Sequence, residues 1–142
     1  MDTIECGSAT GRLRVDHHGI GAARFSGLMV PANFLALGVL AMRAGVESGA
    51  KGLIYLNDRA AICCDPVSMT AAYPMLAPKL RALPVAFVVN AGQAELYDHV
   101  VQRAAAAGLI RRAFDNEADA RNWLAGTLKV LDDNREWWAA QG

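Results

Sequence analysis

Apolar and polar residues alternate over short runs at the start of the chain, the spacing typical of strands that bury one face. Residues 2–6 and 11–17 show this pattern on either side of Gly7-Ser8, so they predict two paired strands. Residues 20–25, closed by Ser26-Gly27, predict a third strand. The N-terminal part of the chain therefore predicts an antiparallel hairpin followed by a further strand.

Helical patterns and apolar runs then alternate to the end of the chain. Pro31 suits the first turn of a helix, where its missing amide hydrogen costs nothing, and predicts a helix to about residue 46. The Asp65-Pro66 pair predicts another helix start, and Pro74 and Pro78 should interrupt that helix. Buried strands are predicted at residues 53–56, 84–89 and 110–114, and further helices at about 93–107 and 116–140.

Strands that alternate with helices pair in parallel through right-handed crossovers. We therefore predict an α/β fold with a mixed, mostly parallel sheet, an antiparallel N-terminal hairpin and crossover helices. The 142 residues suit one domain, spanning residues 1–142 and ending in an amphipathic helix at about 116–140. The apolar face predicted for that helix contains Leu124, Leu128, Leu131 and Trp138, and Trp137 and Trp138 either dock on the domain or reach a second chain.

Charge and composition narrow the classes of function. Hydrophobic residues make up 54% of the chain and the formal net charge is zero, so the basic excess of a nucleic-acid-binding domain is missing. The acidic N-terminus lacks the basic region of a secretory signal, and the apolar stretch from Leu28 to Met42 is shorter than the roughly 20 residues of a membrane span. Three cysteines make no disulfide framework. We expect a cytoplasmic protein with no membrane span and no nucleic-acid partner.

Several short phrases, taken with the order of the elements, resemble one known family. They are Phe25-Ser26-Gly27 before a helix, the strand at 52–56 ending in Asn-Asp, the strand at 85–89, and the closing phrase RAFDNEADARNWL at residues 112–124. Over roughly residues 11–125 the chain is similar to SpoIIAA-like (STAS) domains, whose fold is related to the lipid-carrying CRAL-TRIO domains. The resemblance implies a SpoIIAA-like fold.

The best-known members of this family are anti-sigma-factor antagonists, switched by phosphorylation of a serine that opens a helix. The resemblance places Ser68 near that position, but the Asp-Ser-Ser-Gly-like motif of the family is absent. A phosphate there would also meet the Asp65 carboxylate. Ser68 is therefore a possible phosphorylation site, and the preferred interpretation is a polar residue of the first helical turn.

No constellation of residues predicts catalysis or metal binding. Cys63 and Cys64 precede a helix start, where a thiolate would be favoured, but small buried residues are the preferred interpretation. His17 and His18 point to opposite sides of a strand and cannot share one metal ion. We find no nucleotide-binding loop or nucleophile motif. We expect no enzyme activity, no metal and no cofactor.

Two apolar segments, at residues 31–46 and 60–78, carry few charges and exceed what one modest core needs. Either they pack against each other and the sheet, or they form a dimer face or an apolar groove. The residues predicted to line such a groove or interface are Phe34, Gly38, Met42, Met69, Tyr73 and Met75.

Polar residues follow several predicted strands, at the edge of the sheet where open α/β folds bind ligands. The candidates for a ligand edge are Ser26, Asn57, Asp58, Arg59 and Asn90. Turns and helix caps also require Asn and Asp at such places, and this is the preferred explanation for each residue taken singly.

These patterns favour a non-enzymatic regulatory or scaffold domain that acts by protein contact, as a homodimer or with another protein. The first alternative is a carrier or sensor of a small apolar or amphipathic ligand. The second is a phosphoregulated switch through Ser68.

Overall fold

The computed structural model describes the backbone of residues 2–141 and the side chains of residues 3–135. The side chains of Trp137 and Trp138 lie outside this described part. The strands are β1 Asp2–Cys6, β2 Ala9–Val15, β3 Ile20–Met29, β4 Gly52–Leu56, β5 Ala60–Ile62, β6 Val85–Val88 and β7 Arg111–Phe114. The helices are α1 Pro31–Glu47, α2 Pro66–Thr70, α3 Pro78–Arg81, α4 Ala94–Ala106 and α5 Glu117–Gln141, with 3₁₀ turns at Tyr73–Met75 and Ala91–Gln93.

The strands form one mixed sheet in the order β1-β2-β3-β4-β6-β7, with β5 beside the end of β3. Strands β1, β2 and β3 are antiparallel, whereas β3, β4, β6 and β7 are parallel. Helices α1 and α4 are the crossovers that lead into β4 and β7. The predicted mixed, mostly parallel α/β fold with an antiparallel N-terminal hairpin is confirmed.

Strand β3 is longer than the sequence predicts. Gly27, with a φ of 91°, does not close the strand, which continues to Met29 and pairs there with β5, a strand that the pattern did not reveal. Arg24 is opposite Leu56 and Gly27 is opposite Ala60. Between these pairs β3 advances three residues and its partner advances four. The extra residue is taken up in a turn, in which the Ala60 amide donates a hydrogen bond of 3.1 Å to the Asn57 carbonyl oxygen.

Alternate residues of the central strands face two separate apolar layers. On one face, Tyr55 of β4 and Phe87 of β6 pack with Leu37 of α1 and Tyr97 of α4. On the other face Leu124 of α5 packs against the sheet. Both faces of the parallel strands are therefore covered, which explains why β4 and β6 are continuous apolar runs in the sequence.

The chain between β5 and β6 folds as three short helical pieces, α2, the first 3₁₀ turn and α3. Pro74 and Pro78 lie at the starts of the second and third pieces, as expected for residues that cannot continue a helix. This segment packs against both α1 and α4.

Across the described residues, no helix has both the length and the apolar character that a membrane crossing requires.

Candidate functional site

A cavity of about 50 Å³ lies between α1, the helical pieces after β5 and one face of the sheet. The structure brings five of the six predicted groove residues together in its wall, namely Phe34, Gly38, Met42, Met69 and Tyr73. Met75 is not among the lining residues, and it is 80% exposed. A cavity needs roughly 10–15 Å³ of this volume to hold one water, so this cavity has room for about four water-sized groups.

A row of aromatic rings supplies much of the cavity floor. The centroids of Phe25 and Tyr55 are 5.4 Å apart, and those of Tyr55 and Phe87 are 6.0 Å apart, with both pairs in edge-to-face geometry. The rings come from β3, β4 and β6, so neighbouring strands hold them at fixed spacing. This floor is made mainly of ring carbon atoms and is apolar.

Gly38 leaves space in the roof of the cavity. A Cβ atom built on this residue would meet nothing within 4 Å, although Gly38 lies in the middle of α1 and lines the cavity. Its carbonyl oxygen accepts a hydrogen bond of 2.8 Å from the Tyr55 hydroxyl. Burial raises the pKa of Tyr55, which keeps this phenol neutral. The roof and the floor are thus joined by one polar contact.

Arg111, the first residue of β7, is a buried cation in the wall of this apolar cavity. Its Nη1 donates hydrogen bonds to the carbonyl oxygens of Leu83 (2.7 Å) and Ile110 (3.0 Å). Its Cζ lies 5.8 Å from the centre of the Tyr73 ring. The Nε and Nη2 atoms are buried and make no hydrogen bond of good geometry, although the Tyr73 hydroxyl lies close enough to the guanidinium to raise its pKa. Among the described residues no carboxylate lies within 4 Å of this guanidinium.

An unpaired buried charge is costly, with an effective penalty on the order of several kcal/mol. Burial lowers the pKa of Arg111, while the nearby phenols of Tyr73 and Tyr55 act in the opposite direction. An arginine nevertheless stays charged in proteins. The cavity therefore holds a fixed positive charge with two unused donor atoms.

Asn57 reaches the same cavity from the end of β4. Its Nδ2 donates to the Tyr97 hydroxyl, and its backbone oxygen accepts a 3.0 Å hydrogen bond from Gln93 Nε2. Its Oδ1 is buried and has no partner. The sequence places Asn57 on a polar edge, but Asn57 continues the alternation of Leu53 and Tyr55, so its side chain lies on the cavity side of the sheet.

The other predicted edge residues are not gathered into a site. Asn90 Nδ2 donates to the Asp58 carbonyl oxygen (2.9 Å), and Asn90 Oδ1 accepts from the Gln93 amide (3.1 Å). The Asp58 carboxylate pairs with Arg24 at 3.2 Å. Arg59 is exposed, and Ser26 lies within β3 rather than at its carboxyl end, so the prediction of a strand end there is wrong. Asn90 acts as a cap and Asp58 as an ion-pair partner.

The Ser68 side chain is engaged by the cap of α2. Its Oγ donates to Asp65 Oδ2 (3.0 Å) and its amide donates to Asp65 Oδ1 (2.7 Å). Just before this cap, the Cys64 thiol contacts the Met29 carbonyl oxygen, and burial, aided by Cys63 and Asp65, raises its pKa. Cys64 is therefore held as a neutral thiol. His17 and His18 are exposed.

Sequence reasoning missed Arg111. The signal was present, because Arg111 and Arg112 are neighbours on a strand and must point to opposite faces. Because both faces of a parallel sheet are covered, at least one of two such side chains is expected to lie between the sheet and a helix.

No family model and no curated protein matches the chain. The chain is similar to the crystal structure of an anti-sigma factor antagonist from Mycobacterium paratuberculosis, with 18% sequence identity and a TM-score of 0.46. The match covers 82% of this chain and 94% of the other. That protein is of the class named by the SpoIIAA-like resemblance, and we draw no function from similarity at this level.

Proposed function

We propose that the protein is a non-enzymatic regulatory domain that senses a small amphipathic ligand in the cavity under α1. The observation that carries this proposal is the combination of an apolar wall with buried polar atoms that have no protein partner, on Arg111 and Asn57. Ligand pockets typically combine a mostly apolar lining with a small number of polar groups that orient the ligand. The helical pieces that cover the cavity are short, so an occupant can change the outer surface at the same place.

The test uses 1-butanol as a neutral amphipathic probe and follows backbone amide resonances by NMR. We expect saturable shifts confined to residues around the cavity, and we expect Gly38→Val, which places methyl groups in the empty space, to abolish them. Gly126→Val is the matched control, because it also meets no neighbour within 4 Å and lies in α5. The absence of shifts around the cavity, or shifts that persist in Gly38→Val, would contradict the proposal.

The second candidate function is a protein contact in which the partner is a second copy of the chain. It is favoured by Met75 and Val67, which are 80% and 59% exposed on the segment that covers the cavity. Light scattering coupled to size exclusion should then give a dimer mass that Met75→Ser and Val67→Ser convert to the monomer mass. Val130→Ser, at a 58% exposed position on α5, should leave the dimer intact. A monomer at all concentrations would remove this candidate.

A further inference from the structure

The guanidinium of Arg111 is unusual among the arginines of this chain. The side chains of Arg24 and Arg121 form ion pairs with carboxylates at 3.2 Å and 3.1 Å. Arg111 is only 6% exposed, and two of its three nitrogen atoms have no acceptor. The protein thus buries its least accessible cation without an anion. A buried donor without an acceptor indicates either an ordered water or a ligand atom that this site is built to receive.

The free nitrogen atoms define the chemistry of that ligand. Nη1 is used by the carbonyl oxygens of Leu83 and Ile110, which leaves Nε and Nη2. These two atoms form one edge of the planar guanidinium, and that edge matches the two oxygens of a carboxylate in a bidentate pair. The missing partner is therefore a planar anion with two adjacent oxygens.

The remaining walls define the body of the ligand. Apart from Arg111, Asn57 and the hydroxyl groups of Tyr55 and Tyr73, the cavity is lined by aromatic rings, aliphatic side chains and methionines. An inorganic phosphate would place its further oxygens against these apolar groups, with the Tyr73 hydroxyl as the one donor beside Arg111 among the described lining residues. A short alkyl chain would bury its methylene groups there with no polar cost.

The position of Asn57 separates the two polar groups of the cavity. In the register of the sheet, Arg111 pairs with Val85 on β6, and Val85 pairs with Leu53 on β4. Leu53 lies four residues before Asn57. At about 3.3 Å per strand residue, the backbones of Arg111 and Asn57 are roughly 13 Å apart along the strand direction. One anionic head can therefore use Arg111 without Asn57.

We infer that Arg111 binds the carboxylate of a short-chain aliphatic monocarboxylic acid whose alkyl chain occupies the cavity. This inference rests on the proposed function and adds the chemical class of the ligand. The cavity of about 50 Å³ holds a chain of only a few carbon atoms. A longer chain has to leave past the partly exposed residues Phe34 and Tyr73.

The experiment titrates the protein with butyrate, butyramide and 1-butanol under the NMR conditions above. We expect butyrate to bind at least tenfold more tightly than butyramide, which has the same shape without the charge. Along the series acetate, propionate and butyrate the affinity should rise about fourfold per methylene group, the ratio expected for burial of each one. Arg111→Met should reduce butyrate to the affinity of butyramide, while Arg112→Met, at the exposed neighbouring arginine, should bind butyrate as the wild type does.

Three outcomes would overturn the inference. If butyramide or 1-butanol binds as tightly as butyrate, the cavity takes ligands without selecting a carboxylate, and only the assignment of the head group fails. If inorganic phosphate or chloride competes with equal affinity, Arg111 is a general anion site. If none of these probes shifts the cavity resonances, the proposed function fails with the inference. Should Arg111→Met not fold, the comparison of butyrate with butyramide in the wild type still decides.

Discussion

The hydroxyl group of Tyr55, on β4, donates a hydrogen bond of 2.8 Å to the carbonyl oxygen of Gly38, in the middle of α1. This contact crosses the apolar layer beside the cavity and joins the helix to the sheet. The buried hydroxyl of Tyr97 has a different role, because it accepts a hydrogen bond from the side-chain amide of Asn57. The two tyrosines therefore offer a matched pair of substitutions.

Removing the two hydroxyl groups should have unequal costs. Tyr55→Phe removes one hydrogen-bond donor from the Gly38 carbonyl oxygen. As part of a helix, this oxygen also faces the backbone amide four residues on, so we expect a loss of only about 1 kcal/mol in the free energy of unfolding. Tyr97→Phe leaves the buried Asn57 amide without an acceptor and should cost about 1–3 kcal/mol. Urea denaturation measures both values, and a larger loss for Tyr55→Phe than for Tyr97→Phe would contradict the assignment.

Two glycines of α1 should respond oppositely to the same substitution. At Gly38 an added Cβ meets no atom within 4 Å, so Gly38→Ala should raise the free energy of unfolding by about 0.5–1 kcal/mol through helix propensity. At Gly45 the added Cβ would come 2.8 Å from Leu53 Cδ2, in the fully buried core. Gly45→Ala should therefore be the less stable variant by at least about 1 kcal/mol in thermal or urea unfolding. Equal effects would show that Gly38 is not beside empty space.

Much of the fold follows from local signals that the sequence carries openly. Pro31 and the Asp65-Pro66 pair predict two helix starts, and the structure has helices that begin at Pro31 and Pro66 with Asp65 as the cap. The apolar runs in β4 and β6 predict buried parallel strands, because only strands covered on both faces lack alternation. These signals act within a few residues, so no tertiary information is needed to interpret them.

The parts that sequence reasoning missed depend on pairing between distant residues. Residues 27–29 at the end of β3 form a strand because they pair with residues 60–62. No local pattern in the sequence encodes this pairing. The side chain of Asn57 is buried rather than exposed because Tyr97 of α4, 40 residues further along the chain, accepts its hydrogen bond. Likewise, the role of Arg111 depends on which face of β7 lies beneath Tyr73.

Acid should weaken the contact between the β2–β3 turn and α5. The Asp16 carboxylate accepts hydrogen bonds from the amides of Ile20 (3.1 Å) and His18 (2.8 Å), and it pairs with Arg121 at 3.1 Å. Burial alone would raise the pKa of Asp16, but these hydrogen bonds and the Arg121 charge outweigh it and lower the pKa below 3.8. The carboxylate therefore contributes stability that is complete above the unfolded-state value and is lost as the pH falls through the folded-state value.

The corresponding variant is Asp16→Asn, which should flatten the dependence of the free energy of unfolding on pH below about pH 4, where the two states differ in bound protons. Chemical denaturation at a series of pH values between neutrality and acid measures this slope. Asp133→Asn, at an exposed position of α5, is the control and should leave the slope as it is in the wild type. An unchanged slope in Asp16→Asn would exclude Asp16 as a source of the acid sensitivity.

The last prediction concerns the stability of the protein without a ligand. If the role of Arg111 is to bind an anion, its unpaired charge destabilises the protein without ligand. The desolvation penalty of a buried, unpaired ion exceeds the stabilisation from its remaining hydrogen bonds. Arg111→Met keeps the length of the side chain and removes the charge, so the free energy of unfolding should stay within about 1 kcal/mol of the wild-type value or exceed it. Arg112→Met, at the exposed neighbour, sets the baseline for a surface change. A loss of about 3 kcal/mol or more in Arg111→Met alone would instead assign Arg111 a structural role, in which its hydrogen bond to the Leu83 carbonyl oxygen joins β7 to the start of β6.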